Sequence, residues 1–318
     1  MSTIYASIDI GSHTARLLVA EVDKMSACLH PLARKRAYIR LAEEVGRSEN
    51  DLIQSQAVNR VLNVLEDFLQ CAGNLNAQSI HAVATGIVRD ASNRDIFIEK
   101  IYRSTGLRVR LLTGNEEALL TAKGVRQALD FKERRAAIFD LGGGSTEFVL
   151  GDPAGPFVAS VPLGAALLTL RHMKSDPPSA RDIRALERDI ESTLSLYLRG
   201  RRETADRGLV LAGTGGTVSA LGAMINDIST HDIVPEILNG LTVKRTDIDS
   251  TCTALSRMNL EERMSLWDLD RGRADVITAG SFAVKGIIDF FQTGQMLISV
   301  TDLLEGILLD FFEGDANG

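Results

Sequence analysis

Two stretches of this chain, centred on Asp9 and Asp140 and thus 131 residues apart, repeat one pattern. Ser7-Ile8-Asp9-Ile10-Gly11-Ser12 is echoed by Ala137-Ile138-Phe139-Asp140-Leu141-Gly142-Gly143. Each is an apolar strand-like run that reaches an aspartate and turns on glycine. Residues 4–10 and 16–22 read as two strands joined by Gly11-Ser12-His13-Thr14, and residues 135–140 and 147–151 as two more joined by the turn from Leu141 to Thr146. One duplication of this period is too long for a solenoid. It predicts two related halves, each presenting an Asp-x-Gly turn, and 318 residues is the length of two domains at roughly 100–200 residues each.

Between the echoes, strands and helices alternate. An amphipathic pattern over 51–70 predicts a helix, with Ser48 and Asp51 in capping-box spacing. A strand at 80–84, a helix over 93–104 stopped by Gly106, a strand at 107–112 and a helix from about Asn115 follow. The second half adds a strand at 157–161, helices from Ala165 and Ser179 and a strand at 208–212. A glycine turn opens a helix to Ile225, and an irregular stretch covers 226–240. A helix over 272–291, a strand at 296–300 and a terminal helix over 301–312 complete the chain. Such alternation means α/β architecture with largely parallel sheets. The expected division is a first domain of residues 1–122 plus the returning helix 301–318, and a second of 123–300.

Composition excludes several classes. Hydrophobic residues make up 45% and charged residues 24%, enough for a packed core and unlike a disordered chain. Net charge is −7, so neither nucleic acid nor a membrane surface is an expected partner, and a polyanionic ligand would need a local basic lining. Of the 35 basic residues 27 are arginine, the side chain suited to gripping phosphate with two hydrogen bonds. Cys28, Cys71 and Cys252 are odd in number and far apart, which fits neither a disulfide framework nor zinc spacing. No signal-peptide pattern opens the chain and no run approaches a membrane span, so the expected location is cytoplasmic.

Asp140-Leu-Gly-Gly-Gly-Ser-Thr-Glu147 is the most specific segment. Successive glycines Gly142, Gly143 and Gly144 before Ser145 let backbone amides converge on an anion. Asp140 and Glu147 at the strand ends are hard oxygen ligands that suit Mg²⁺ beside phosphate; a glycine-rich hairpin with surface acids is the alternative. Gly213-Thr-Gly-Gly-Thr217 follows a strand and precedes a helix, a phosphate-binding geometry without the lysine of a Walker loop. Gly114-Asn-Glu-Glu117 opens a helix, where carboxylates ordinarily complement the dipole or cap, although one at a cleft edge orients or deprotonates a water. Arg89, in Ala84-Thr-Gly-Ile-Val-Arg89, is either a phosphate grip or a solvated side chain. The basic clusters Arg34-Lys35-Arg36, Arg171 with Lys174, and Arg199, Arg201 and Arg202 ordinarily mark solvated faces. His231-Asp232 lacks the partners of a metal-dependent HD site.

These motifs, in this order and joined by Arg273-Ala-Asp-Val-Ile277, resemble the exopolyphosphatase/guanosine pentaphosphate phosphohydrolase (Ppx/GppA) family in its short two-domain form. That family belongs to the actin, sugar-kinase and Hsp70-like superfamily, and the resemblance covers nearly the whole chain. It implies two ribonuclease H-like α/β domains facing a cleft in which a terminal phosphoanhydride is hydrolysed. It also implies Glu117 as general base, Arg89 as a catalytic phosphate grip, and Mg²⁺ at Asp140 and Glu147. Phosphate binding then falls to Asp9, Ser12, His13, Gly142, Gly143, Gly144, Ser145, Gly215, Gly216 and Thr217. The implied substrates are inorganic polyphosphate, in short chains because Gly318 precedes any C-terminal HD-like module, or guanosine pentaphosphate (pppGpp). The implied assembly is a homodimer. Two departures stand out: His13 where the family usually has asparagine, and Asp302-Leu-Leu-Glu-Gly306 where it usually has Gly-Leu-Arg-Glu-Gly. They leave open a weakly catalytic sensor of nucleotide or polyphosphate, and superfamily kinship leaves open a kinase.

Overall fold

The computed structural model describes residues 2–23, 28–41, 51–131, 134–151, 155–201 and 208–316. The chain divides into two compact units, Met1–Gly124 with Leu303–Gly318, and Val125–Asp302.

In the first unit a five-stranded sheet has the order β3-β2-β1-β4-β5. Strands β1 (Ser2–Ile10), β2 (Thr14–Asp23) and β3 (Cys28–Tyr38) form an antiparallel meander, and β4 (Ser79–Ala84) and β5 (Val109–Leu111) continue it in parallel. Side chains alternate across the pleat, so Ala6, Ile8 and Ile10 face one layer and Tyr5, Ser7 and Asp9 the other. The first face packs on α1 (Ser55–Asn74) and α3 (Arg94–Thr105), through residues such as Val61, Leu65, Phe68, Phe97 and Ile101. A single turn, α2 (Ile87–Asp90), follows β4, and α4 (Gly114–Ala128) follows β5. The opposite face is covered by the C-terminal helix α12 (Leu303–Ala316): Leu304 and Leu308 pack on Tyr5, Leu18, Ala20 and Val22. Ser7 Oγ donates to the Leu304 carbonyl at 2.8 Å.

The second unit repeats the plan. Its sheet order is β10-β11-β9-β6-β7-β8, again an antiparallel meander, β6 (Ala136–Leu141), β7 (Thr146–Gly151) and β8 (Phe157–Val161), extended in parallel by β9 (Val210–Thr214) and β11 (Gln295–Ile298). Strand β10 (Thr242–Lys244) adds an antiparallel edge. The helices are α5 (Ala165–His172), α6 (Ala180–Tyr197), α7 (Gly216–Ile225), α8 (Pro235–Leu238), α9 (Arg245–Leu255), α10 (Leu260–Trp267) and α11 (Arg271–Phe290). Helix α11 is apolar on nearly every side, which is the mark of a helix inside a core. Helix α6 starts on the capping box of Ser179 and Asp182.

Three differences from the sequence reading have clear causes. Strand β3 was not expected, because Pro31 and Arg34-Lys35-Arg36 do not read as a strand; it lies at the sheet edge, where proline and charge are tolerated. Helix α1 begins at Ser55 rather than Asp51, which has φ +50°, and Ser48 lies outside the described residues. Residues 226–240 contain a 3₁₀ turn (Thr230–Asp232) and α8, and β10, α9 and α10 follow where the sequence reading assigned nothing.

Candidate active site

Each unit assembles its own share of the expected residues at the tip of its first hairpin. In the first unit, register places Asp9 opposite Arg16. Asp9 Oδ2 accepts from Arg16 Nη2 at 2.9 Å and Nε at 3.1 Å, and Thr85 Oγ1 lies 3.4 Å from Oδ1. The Asp9 carboxylate thus holds an arginine rather than facing an anion itself. Ser12 Oγ accepts from the Ile87 amide at 3.0 Å, which ties the hairpin tip to the loop that carries Arg89. His13 is buried; its carbonyl accepts from the Ile39 and Arg40 amides, and its ring meets Tyr38 edge-on at 5.2 Å.

Arg89 and Glu117 are brought together. Arg89 Nη1 reaches Glu117 Oε2 and the Leu112 carbonyl, both at 3.4 Å, while Nε donates to Asp90 at 3.1 Å. Distances of 3.4 Å are at the weak end of hydrogen bonding. Glu117 is buried, in the first turn of α4. Its neighbour Glu116 takes the ordinary role: its carboxylate accepts from the Thr113 amide and hydroxyl at 2.8 Å and from Arg110 at 2.6 Å. The Thr113 amide, with help from Arg110, brings the Glu116 carboxyl from the usual 4.5 down to about 2.

In the second unit one sheet face carries a row of oxygens. Register places Ser160, Glu147, Asp140 and Thr214 side by side on β8, β7, β6 and β9, and residues paired in a ladder share a face. Asp140 and Glu147 are both buried. Ser160 Oγ donates to Glu147 Oε1 at 2.8 Å, and the buried Thr214 hydroxyl has no hydrogen-bond partner among the described residues. Two buried like charges directly opposite repel, and a buried hydroxyl without a partner is costly. A hydrated divalent cation between them would relieve both. Among the described residues no third histidine, cysteine or acid joins a metal cluster. Two carboxylates are nonetheless what Mg²⁺ commonly takes from protein when phosphate and water fill its remaining positions, so the donor set fits.

Beside this row lies the glycine turn. The Gly142 carbonyl accepts from the Ala165 amide and the Gly143 carbonyl from those of Ala166 and Leu167, at 2.9–3.0 Å. The N-terminus of α5 is therefore spent on seating the turn. Gly164, its N-cap, must be glycine, because a Cβ there would run into the backbone of Gly143 and Gly144. With its carbonyls turned to α5, the turn directs the amides of Gly143, Gly144 and Ser145 elsewhere, and among the described residues none of them donates to protein. At the end of β9, Gly215 has φ +98°, and a Cβ would sit 2.7 Å from Asp140 Oδ1. The α7 N-terminus thus begins against that carboxylate. The Arg273 guanidinium lies on the Gly216 backbone, with Nη1 3.4 Å from Thr217 Oγ1.

Arg273, Arg16, Ser160 and Thr214 were not singled out from sequence as site residues. Hairpin register, counted outward from the four-residue tip, would have found Arg16; the others need the tertiary fold. Four members of the basic clusters are engaged within the protein. Arg34 pairs with Glu305, Lys35 with Asp67 at 2.8 Å, Arg171 with Asp189 at 3.8 Å, and the Arg201 guanidinium stacks 4.4 Å over Phe157. Arg202 lies outside the described residues. His231 pairs with Asp268 on the surface.

Comparison with known proteins places the chain in a family. Exopolyphosphatase 2 of Mycobacterium tuberculosis is 30% identical over 318 residues, covering 96% of this chain and 98% of its own. A guanosine-5'-triphosphate,3'-diphosphate pyrophosphatase of Vibrio atlanticus is 27% identical, covering 98% of this chain and 59% of its own. The crystal structure of the Aquifex aeolicus Ppx/GppA family member superposes with a TM-score of 0.80 at 25% identity, covering 99% of both chains, and has the actin-like, ribonuclease H-like two-domain fold. The model of the Ppx/GppA phosphatase family matches residues 18–313, and the chain belongs to that family.

Proposed function

We propose that this protein is a phosphoanhydride hydrolase that releases orthophosphate from the end of inorganic polyphosphate. The observation that carries the reading is the oxygen row of Asp140 and Glu147 beside a glycine turn whose Gly143, Gly144 and Ser145 amides donate to no protein acceptor among the described residues. Phosphoryl transfer needs positioning and charge neutralisation more than covalent chemistry, and that combination supplies both. The amides of Gly143, Gly144 and Ser145 and the α7 N-terminus receive the phosphate oxygens. Asp140 and Glu147 would hold the cation, Mg²⁺ by preference, whose chemistry when bound is to neutralise charge on the phosphate.

In the first unit Arg89 grips the terminal phosphate, and Glu117, released from its long contact with Arg89, orients the attacking water and takes its proton. The new bond joins water oxygen to phosphorus; the bridging P–O bond breaks, and its electron pair leaves with the shortened chain. Asp9 serves by aiming Arg16. The same machinery would remove the terminal 5' phosphate of guanosine pentaphosphate, the second reading, favoured by the name of the Vibrio relative. Among the described residues no helix is long and apolar enough to cross a membrane. We infer a cytoplasmic homodimer from the family resemblance.

Orthophosphate release measured side by side on short polyphosphate, long polyphosphate, guanosine pentaphosphate and ATP, with and without Mg²⁺, tests this. Wild type is expected to act best on short polyphosphate with Mg²⁺, and Glu117→Gln to lower kcat by about 10²–10⁴-fold without loss of fold. Release from none of them would indicate a sensor. ADP formation that depends on an added acceptor would indicate a kinase.

A further inference from the structure

Helices α6 and α11 cross at Gly286, where a Cβ would run into Ile190. Beside the crossing they leave a cavity of about 590 Å³, within the range of about 300–1,000 Å³ usual for small-molecule sites. Its floor is apolar, formed by Ile190 and Leu194 of α6 and by Phe282 and Phe290 of α11. Phe282 and Phe290 are buried beneath it, with Lys285 Nζ 5.7 Å from the centroid of the Phe282 ring and Phe290 edge-on to Phe291 at 5.1 Å.

The charged groups on its walls fall into two sets. Lys285 donates to Glu187 at 2.8 Å and lies 3.9 Å from Asp249, while Asp289 receives both Nε and Nη2 of Arg245, at 2.5 and 3.1 Å. Those charges are already matched. Arg184 and Arg188 stand one helical turn apart on α6, and among the described residues neither has an ion-pair partner; Arg188 Nε donates only to the Arg184 carbonyl at 3.1 Å. Like charges at this spacing repel; Glu187 and Glu191, three residues on from Arg184 and Arg188, offset part of that cost, and an anion between the arginines would remove the rest. Glu191, the remaining wall carboxylate, lies beyond Arg188 toward the C-terminal end of α6.

An arginine pair above an apolar floor recognises two features at once. A guanidinium takes phosphate or carboxylate with two hydrogen bonds, and the apolar floor takes the flat face of a ring. Inorganic phosphate would use the first and waste the second. We propose that this cavity binds an aromatic anion, a ring bearing a phosphate or carboxylate group. It is separate from the glycine cradle: from Arg273, at the cradle, to Phe282 and Phe290 is 9 to 17 residues along α11, or roughly 13–25 Å at 1.5 Å per residue.

Fluorescence titration of the whole protein with anilinonaphthalene sulfonate, an aromatic anion, tests the site. Wild type is expected to bind saturably. Arg184→Ala/Arg188→Ala, two exposed positions, is expected to weaken binding about tenfold or more. An Arg181→Ala/Arg199→Ala pair and the rate of orthophosphate release should both be unchanged. Displacement by adenosine monophosphate or by benzoate then tells a nucleotide source from an aromatic carboxylate. Absence of saturable binding, equal binding by the Arg184/Arg188 variant, or displacement by inorganic phosphate as effective as by either aromatic anion would overturn the proposal.

Discussion

The two hairpin tips are copies of one design with opposite electrostatics. Across the first sheet the row through Asp9 reads Arg36, Arg16, Asp9 and Val83; across the second, the row through Asp140 reads Ser160, Glu147, Asp140 and Thr214. In the first row the aspartate is neutralised by its cross-strand neighbour and excess positive charge remains. In the second the cross-strand neighbour is another carboxylate, flanked in the row by the hydroxyls of Ser160 and Thr214. The comparison teaches that a duplicated strand-turn-strand unit fixes where side chains stand, and that one substitution across the ladder decides whether the position suits an anion or a cation.

The sharpest way to break this comparison is by activity. Asp140→Asn or Glu147→Gln should lower cation-dependent orthophosphate release by about 100-fold or more, as expected when a metal's charge is lost from a phosphate site. A rate within threefold of wild type in saturating Mg²⁺ would mean the oxygen row holds no catalytic cation. Next in size is the seating of the two tips. Gly164→Ala should destabilise the second unit by about 2–3 kcal/mol, because its Cβ meets backbone that must shift. Ser12→Ala removes only a side-chain acceptor for the Ile87 amide and should cost about 1 kcal/mol; denaturant midpoints rank the two.

Stability without added cation should then separate the aspartates by sign. Asp9→Asn strips Arg16 of its charge partner and should cost about 1.5–3 kcal/mol. Asp140→Asn removes a like-charge contact and should be neutral or stabilising by up to about 1 kcal/mol. Equal losses for both would contradict the electrostatic contrast.

The smallest effect distinguishes Glu116 from Glu117. Glu116→Gln should leave turnover intact and cost about 1 kcal/mol at pH 7, the usual value of a helix cap. Because folding lowers the Glu116 carboxyl to about 2, its contribution is complete above the unfolded value of 4.5 and fades as pH falls toward 2. The gap between wild type and Glu116→Gln should therefore close over that acid window in urea titrations.

Much of this was legible in the sequence, for local reasons. Strand alternation, the glycine turns and the caps depend on neighbours a few residues away, so both tips and most elements were placed within a few residues. Strand β3 escaped because its charges and proline contradict strand propensity, and its place is set by pairing with β2 and by the Arg34–Glu305 contact across 271 residues. Glu116 and Glu117 looked equivalent, since both lie in the first turn of α4. The 100° step between successive helical residues sends one to Thr113 and the other to Arg89.

By itself, then, the sequence determined the duplication, the α/β class, the two Asp-Gly tips and the motif order that marks the family. Only the tertiary structure decided what meets each carboxylate beyond its own hairpin: Thr85 for Asp9, Ser160 for Glu147, Thr214 for Asp140, Arg89 for Glu117. The reason is physical. Period, turn chemistry and hairpin register are set by bonds along the chain, whereas the pairing of β6 with β9, more than 70 residues away, is chosen by the packing of whole layers, and that pairing sets the Thr214 hydroxyl beside Asp140.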